Sequence, residues 1–409
     1  MKRSLILPII LISLLLLAEI GSFLVIKVFI SSSTNFNVKK FIWIWWLSTI
    51  SVYVLTFSSR LIDNTFARNL IVNIFFILLI TKLVVALVFI ISSLINWIRS
   101  LIFSLPKETA AEILNSRRAF VSKVALSSAL LPIATFSWGI VKTAYDFKIH
   151  KVKFKSQKIP KSFNGFKIVQ ISDIHTGSLQ GNYQLQKAIN LVMEQKADLI
   201  VFTGDLVNNK TEEAFEFKPI LKQLNAKHGV FSTLGNHDYG DYASWDSEEE
   251  KDKNMLDMIE FHKKIGWNLM LNEHQKIEKE GEFFSLIGIE NWGGNYNFKK
   301  YGDLEKAYKN IDESSFQILL SHDPSHWNLQ VTKDFPEIDL TLAGHTHGFQ
   351  FGIEIPGFKW SPSKYIYPQW AGLYGTKRQK LYVNRGLGCL GYMGRIGIKP
   401  EITVIELVS

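Results

Sequence analysis

Four apolar stretches, Leu5–Ile26, Phe41–Phe57, Leu70–Trp97 and Phe120–Val141, stand in the first 150 residues, and nothing comparable recurs in the rest of the 409-residue chain. Each is near the roughly 20 residues that a helix needs to cross a bilayer. Lipid offers no partners to backbone N–H and C=O groups, so such segments must be helical. The chain is therefore expected to fold as two unlike parts: a transmembrane anchor of about four helices over 1–150, and a domain with its own core over 151–409. The second stretch is the shortest, and its tryptophans Trp43, Trp45 and Trp46 suit the headgroup level. A cleavable signal peptide would explain the first stretch alone, so the expectation is a permanent anchor. The net charge of +9 averages two different materials.

Glu19, Lys27 and Lys82 interrupt these stretches. An ionisable group at mid-bilayer costs several kcal/mol unless paired or wet. Lys27 stands near a helix end, from which its amine can snorkel. Lys82 lies near the centre of the third stretch. A Glu19–Lys82 pair between helices, a contact with a lipid headgroup or substrate, and a tilted or broken segment are the readings open for it.

Basic residues flank both sides of the spans. Lys39, Lys40, Arg99, Lys107, Arg117 and Arg118 fall in the first and third loops; Lys2, Arg3, Arg60 and Arg68 fall at the N-terminus and in the second. The excess favours cytoplasmic first and third loops. Ser116-Arg117-Arg118-Ala119-Phe120 before the fourth stretch resembles a twin-arginine export signal, although it lies internally. Both clues place the second domain outside the cytoplasm, in a protein of the cell membrane.

Beyond residue 150 the informative features are five short clusters: Asp173-Ile174-His175, Gly204-Asp205, Gly235-Asn236-His237-Asp238, His322-Asp323 and Gly344-His345-Thr346-His347. All ten histidines lie at or after His150, and five of them fall in these clusters. Imidazoles, carboxylates and one amide are the donors that borderline-hard divalent cations take, and the single cysteine, Cys389, is not among them. Each cluster follows a short apolar run: Phe166–Ile171, Asp198–Phe202, Gly229–Leu234, Phe316–Leu320 and Ile338–Leu342. Such runs read as buried strands. In an open α/β sheet ligands gather beyond the carboxyl ends of strands, so five polar strand ends are expected to converge on one site. Gly204, Gly235 and Gly344 permit the close turns this needs.

The ordered pattern D-x-H, G-D, G-N-H-D, H and G-H-x-H resembles the calcineurin-like metallophosphoesterase superfamily, from about Lys151 to the end of the chain. The similarity is greatest to its membrane-associated branch, which includes enzymes that cleave diacylglucosamine nucleotides and lipid phosphodiesters. The resemblance implies an α/β fold, a four-layer αββα sandwich of two mixed sheets with helices outside. It also implies a binuclear metal centre of Mn, Fe or Zn. Asp173, His175, Asp205 and His347 would hold one ion; Asp205, Asn236, His322 and His345 would hold the other. His237 would face the substrate as an acid, with Asp238 orienting its ring. The implied activity is metal-dependent hydrolysis of a phosphate ester, a diester or pyrophosphate of a lipid or lipid-linked substrate. A cytoplasm-facing pyrophosphatase of the UDP-diacylglucosamine type and a non-catalytic metal-binding sensor or scaffold are the alternatives. No protein partner is implied, and no basic groove that would track a nucleic-acid backbone is visible.

Arg385, after the apparent strand Lys380–Val383, either reaches a substrate phosphate or pairs with a carboxylate. His228, His262, His274 and His326 match no motif position and are expected to be structural. Phe147–Lys158 reads as an exposed, basic connector. Two stretches are expected to shape a pocket: Glu290–Tyr296 and the aromatic excursion Phe349–Tyr374. The second is either a lip that meets the bilayer, a cover over the metals, or a packed loop.

Overall fold

A computed structural model describes residues 3–31, 37–62, 65–102, 107–294, 298–375 and 378–409; Lys2, Asn295 and Tyr296 lie outside the described residues. The chain divides into two compact units, Met1–Trp138 and Gly139–Ser409.

The first unit holds α1 (Arg3–Ser31), α2 (Val38–Ser58), α3 (Thr65–Ile102), α4 (Lys107–Ser128) and the start of α5 (Leu130–Val141). Among the described residues four segments are long and apolar enough to cross a membrane, Ile12–Ser31, Lys39–Ser58, Ala67–Arg99 and Arg117–Tyr145. The fourth is two helices rather than one. Pro132 has no N–H to give the carbonyl of Ser128 and its ring crowds that turn, so α4 stops at Ser128 and α5 restarts after Ala129. Helices α1 and α3 approach closely at Gly21, where a Cβ would lie 2.4 Å from the Cβ of Ala86. Small residues allow such contact where no hydrophobic drive separates helix from lipid. Lys27 is exposed, whereas Lys82 and Glu19 meet, with Nζ at 2.8 and 2.9 Å from the two carboxylate oxygens. Thr49 and Tyr53 of α2 donate to the same carboxylate at 3.4 and 3.3 Å, and the Lys82 amine stands over the Trp45 ring.

The second unit is built on β1 (Lys148–Lys155), β2 (Lys167–Ile171), α6 (Asn182–Glu194), β3 (Leu199–Thr203), α7 (Lys218–Leu221), β4 (Val230–Thr233), α8 (Glu248–Ile265) and β5 (Asn268–Leu269). There follow β6 (Glu273–Lys279), β7 (Glu282–Gly288), α9 (Leu304–Tyr308), β8 (Gln317–Leu320), α10 (Thr332–Asp334) and β9 (Leu340–Ala343). The chain ends through β10 (Ile353–Ile355), β11 (Phe358–Trp360), β12 (Gly372–Gly375), β13 (Lys380–Val383) and β14 (Glu401–Val408). The segment expected as an exposed connector is largely β1, which pairs in parallel with β14.

Two six-stranded mixed sheets form, in the orders β1-β14-β2-β3-β4-β5 and β12-β13-β9-β8-β7-β6. Strand residues alternate between two cores. Ile168, Leu199, Val201 and Phe231 of the first sheet meet Leu286, Ile318, Leu320 and Leu342 of the second, while Val169, Ile171, Ile200 and Phe202 face α6 and α8. A third apolar cluster lies outside the second sheet, against α9. Strands buried on both faces read as continuous apolar runs, as these do. Helix α6 buries Leu185, Ala188, Ile189 and Val192, one face of a 3.6-residue repeat. The result is the αββα sandwich that the resemblance implies.

Candidate metal centre

All five clusters sit immediately after strands. The first sheet presents Asp173 after β2, Asp205 after β3 and Asn236 after β4; the second presents His322 after β8 and His345 after β9. These are carboxyl ends of parallel neighbours within each sheet.

The backbone at these turns is strained. Of the eleven non-glycine residues with positive φ among the described residues, five are Asp173, His175, Asp205, His345 and His347. Left-handed backbone costs an L-residue about 1–2 kcal/mol, so it persists only where surroundings enforce it. Here the enforcement is hydrogen bonding between strand ends. The Asp173 N–H donates to the Gly204 carbonyl (2.9 Å), the Gly344 N–H to the His322 carbonyl (2.9 Å), and the His345 N–H to the Asp173 carboxylate (3.0 Å). Gly344 must be glycine, because a Cβ would lie 1.9 Å from Ser172 Oγ and 2.4 Å from Asp173 Oδ2.

Two groups of donors result. Ligand atoms of Asp173, His175 and His347 lie within 4.8 Å of one another, as do those of Asp205, His322 and His345. Asp205 Oδ2 stands 3.6 Å from His175 Nε2 and 3.1 Å from His322 Nε2, so a single carboxylate faces both groups. Asn236 Oδ1 completes the second, 2.8 Å from His345 Nδ1. All of these side chains are buried or nearly so.

Each imidazole is aimed by its other nitrogen. His175 Nδ1 meets the Val207 carbonyl at 3.1 Å and His322 Nδ1 the Thr203 carbonyl at 2.7 Å, so both present Nε2 to the centre. His345 is reversed: Nε2 meets the Tyr367 hydroxyl at 2.7 Å and Nδ1 faces inward. His347 Nε2 lies 3.2 Å from Asp173 Oδ1 and 3.0 Å from His175 Nε2. Two ring nitrogens at that separation have to share a proton or a cation. A second partner that fixes ring orientation is characteristic of metal-ligating histidines.

The electrostatics fit cations. Burial opposes ionisation of Asp173, yet His347 beside it pulls its carboxyl down to about 2. Burial likewise opposes Asp205, which His322 and His237 hold well below the usual range. Burial pushes His175 down to about 3 and also lowers His345, leaving lone pairs available. His322 behaves differently: burial disfavours its charge, but Asp205 and Asp173 push it up to about 10. The pocket carries an excess of negative charge that a proton or a metal must compensate. Carboxylate, imidazole and amide donors in two groups around one shared carboxylate therefore suit a pair of divalent ions.

His237 lies beside these groups, partly exposed, its Nδ1 2.6 Å from the Asn208 carbonyl and its ring 5.0 Å from that of His175. The expectation that Asp238 orients this ring is corrected. The Asp238 carboxylate turns inward and accepts backbone N–H bonds from Asp205, Leu206, Val207 and Gly235 at 2.8–3.2 Å. It ties the second and third motifs together, and it is pushed up to about 7 by burial and by Asp205. The reason is geometric: four converging backbone donors outbid one neighbouring ring.

Arg385 takes the second course open to it. The residue is 3% exposed, and its guanidinium is bound to Glu401 and to Glu354 (2.7 Å). His326 is buried between Ser321 Oγ (2.9 Å) and Gln330 Oε1 (2.8 Å), and His262 and His274 are occupied by backbone carbonyls.

Other side chains that shape the centre have no motif to announce them. Tyr242 accepts from Asn236 Nδ2 (2.9 Å), which turns the amide oxygen toward the second donor group, and its ring lies tilted against that of His237, centroids 4.6 Å apart. Tyr367 holds His345. Arg395, fully buried, donates to the carbonyls of Arg385 and Gly388 and so fixes the turn that packs Gly386 against Asp173. Tyr242 follows a motif by four residues and could have been suspected; Tyr367 and Arg395 leave no such signal.

Residues 166–349 match the family described as Calcineurin-like phosphoesterase, and residues 2–144 match Probable Calcineurin-like phosphoesterase, transmembrane domain. A "Transmembrane protein with metallophosphoesterase domain" of Danio rerio is 30% identical over 279 residues, covering 66% of this chain and 59% of that one. An "Uncharacterized metallophosphoesterase YkuE" of Bacillus subtilis is 34% identical over 258 residues, 62% of this chain and 83% of the relative. A "UDP-2,3-diacylglucosamine pyrophosphatase LpxG" of Chlamydia muridarum is 27% identical over 327 residues, 70% of this chain and 96% of the relative.

Proposed function

The chain belongs to the calcineurin-like phosphoesterase family and is a membrane protein and a metal-dependent phosphohydrolase, and we propose that it hydrolyses a diester or pyrophosphate bond of a lipid or lipid-linked substrate at a binuclear centre. The observation that carries this reading is the shared Asp205 carboxylate between two buried donor groups. Asp173, His175, Asp205 and His347 would hold one ion, and Asp205, Asn236, His322 and His345 the other. When bound, two divalent ions supply Lewis acidity at the phosphoryl oxygens and make the attacking water more acidic.

The protein's own groups account for the rest. The Asn208 carbonyl holds the Nδ1 proton of His237, which leaves Nε2 for the substrate. As imidazolium, His237 can protonate the departing oxygen, a contribution of roughly 10²–10⁴ in rate. Tyr242 and Tyr367 keep Asn236 and His345 in one orientation each. Asp238, through four backbone donors, keeps the turns of the second and third motifs in register.

The lipid character of the substrate is supported by the four membrane-crossing segments and by the relative named for a diacylglucosamine nucleotide. Placement of the domain outside the cytoplasm of the cell membrane rests on the loop charges and the paired arginines, Arg117 and Arg118. A reporter fused at Ser409 that functions only in the cytoplasm tests it: a working reporter would refute that side.

The decisive assay uses the full chain in detergent with Mn²⁺, bis(4-nitrophenyl) phosphate and 4-nitrophenyl phosphate. Turnover of the diester above the monoester is expected, with a loss of roughly 10²–10⁴ in His237→Ala. A folded, metal-loaded protein inert on both would overturn the reading.

A further inference from the structure

The excursion after the last motif carries an inverted pattern. Hairpin β10–β11 pairs Ile353 with Trp360, Glu354 with Lys359 and Ile355 with Phe358. Cross-strand partners share a face, so Ile353, Ile355, Phe358 and Trp360 lie on one side and the two charges on the other. In a hairpin on a soluble domain the charged side faces water. Here both charges are taken up by the protein: Glu354, half-buried, binds Arg385 at 2.7 Å, and Lys359, although exposed, donates from Nζ to the Ala371 carbonyl at 2.5 Å and contacts the Tyr374 hydroxyl at 3.2 Å. The apolar side is largely bare, with Ile353, Ile355 and Phe358 between 50 and 58% exposed and Trp360 half-buried.

This exposure is concentrated. Of fifteen large apolar side chains described as exposed after Lys148, eight fall between Phe349 and Leu373. Contiguous exposed apolar patches mark interaction surfaces, whereas scattered ones do not.

We propose that the outward face of this hairpin seats in the acyl–headgroup boundary of a lipid bilayer, at the rim of the metal centre. The inference rests on the phosphoesterase reading only for its consequence for substrate, not for the seat itself. The last segment apolar enough to cross a membrane, Arg117–Tyr145, runs straight into this domain: Gly139–Tyr145 already belong to its compact unit, where the Arg395 N–H donates to the Gly139 carbonyl, and β1 begins at Lys148, so only a short stretch of chain separates the domain from the apolar helices. A tether of that length makes a few inserted side chains sufficient, because the ordering cost of association is already met. A second copy is a poorer occupant. Strands of three residues span only ~10 Å, far from the roughly 800 Å² per partner that a stable dimer buries. Interfacial chemistry flanks the patch, with Trp360 at one strand end and, beyond it, Tyr365 with the exposed Lys364 amine over its ring.

The seat is joined to the chemistry by a short path. Tyr367, on the same excursion, touches His345, whose Nδ1 faces the second donor group. Insertion of residues 353–358 would bring lipid phosphates to the edge of the site that Tyr367 borders, which suits a substrate that never leaves the membrane.

The test uses the full chain in nanodiscs of phosphatidylethanolamine and phosphatidylglycerol, with nitroxide labels on cysteines placed singly at Ile355, Phe358 and, as an aqueous control, Leu256; the native Cys389 is buried. Oxygen accessibility should exceed that of an aqueous nickel chelate at 355 and 358, and the order should reverse at 256. Aqueous behaviour at all three positions overturns the proposal, and so does dipolar broadening that shows two copies apposed. Ile355→Asp with Phe358→Asp should raise KM for a lipid phosphodiester in vesicles by about tenfold, leaving turnover of bis(4-nitrophenyl) phosphate unchanged. An equal loss on both substrates would also overturn it. If the soluble diester is not cleaved by the unaltered protein, the phosphoesterase reading fails while the label depths still decide the seat.

Discussion

The helical unit and the sandwich both bury charge, and they neutralise it in opposite ways. In the helices Lys82 and Glu19 close on each other, with Thr49 and Tyr53 filling the remaining acceptor positions of the carboxylate. In the sandwich, the ionisable partners within 4 Å of Asp173 and Asp205 are imidazoles among the described residues, groups that carry positive charge only when protonated. A closed pair needs nothing further and acts as a staple between α1, α2 and α3. An open centre, negative in excess, needs cations. The difference shows how a buried charge can be read: what matters is whether its neighbours complete it.

The largest effect should come from opening the centre further. Asp205→Asn removes the carboxylate that faces both donor groups, and diester turnover should fall by roughly 10³-fold or more with the circular dichroism spectrum unchanged. Activity within tenfold of the original would break the contrast at its stronger end.

The closed pair makes the converse prediction. Glu19→Gln leaves the Lys82 amine without its counter-charge and should destabilise the helical unit by about 3 kcal/mol. The double substitution Glu19→Gln with Lys82→Met should recover most of that loss, measured by thermal unfolding in detergent. If the double change also abolished turnover at normal stability, the pair would be part of the chemistry and the comparison would fail.

Acid should separate the two units in a third way, because no histidine precedes His150. Burial pushes His262 and His326 down to about 4. Between pH 6.5 and about 4 the unfolded chain binds a proton at each position and the folded chain does not. The stability of the sandwich should therefore fall as pH drops through that window, by about 3 kcal/mol for each histidine. Asp339, raised to about 6 by burial, works the other way and offsets part of the loss. Chemical denaturation of His262→Gln should show a smaller acid dependence between pH 6.5 and 4; an unchanged slope would show that His262 is not neutral in the fold.

The smallest change sharpens the comparison at one atom. Tyr367→Phe removes the hydroxyl that holds His345 Nε2, and Mn²⁺ affinity, read by calorimetry, should weaken about 10-fold, within the range for outer partners of metal ligands. An unaltered affinity would assign the orientation of His345 to packing alone.

Much of this arrangement is legible before folding. Apolar runs followed by Asp173, Asp205, Asn236, His322 and His345 mark strand ends, and four long apolar stretches mark the membrane unit. The break between α4 and α5 at Pro132 was not read from the sequence, where Phe120–Val141 stood as one stretch, since hydropathy records transfer to lipid and is blind to a missing N–H. The role expected for Asp238 was wrong because adjacency in sequence does not imply contact: at a tight turn, neighbouring side chains diverge. The Glu19–Lys82 pair was one of the readings the sequence left open for Lys82, and only the packing of α1 against α3 selected it.

By itself the sequence determined the division into two materials, the apolar runs that become strands and the order of the polar clusters that follow them, since periodicity and motif spacing are local properties of a chain; the αββα sandwich was what the family resemblance implied. The tertiary structure decided which imidazole nitrogen faces the two donor groups, that Tyr367 and Tyr242 hold His345 and Asn236, that Arg385 is spent on Glu401 and Glu354, and that a hairpin turns its apolar face outward. Each of those depends on which groups two packed sheets and their loops bring within about 3 Å, and hydrogen bonds discriminate at distances that no linear pattern encodes.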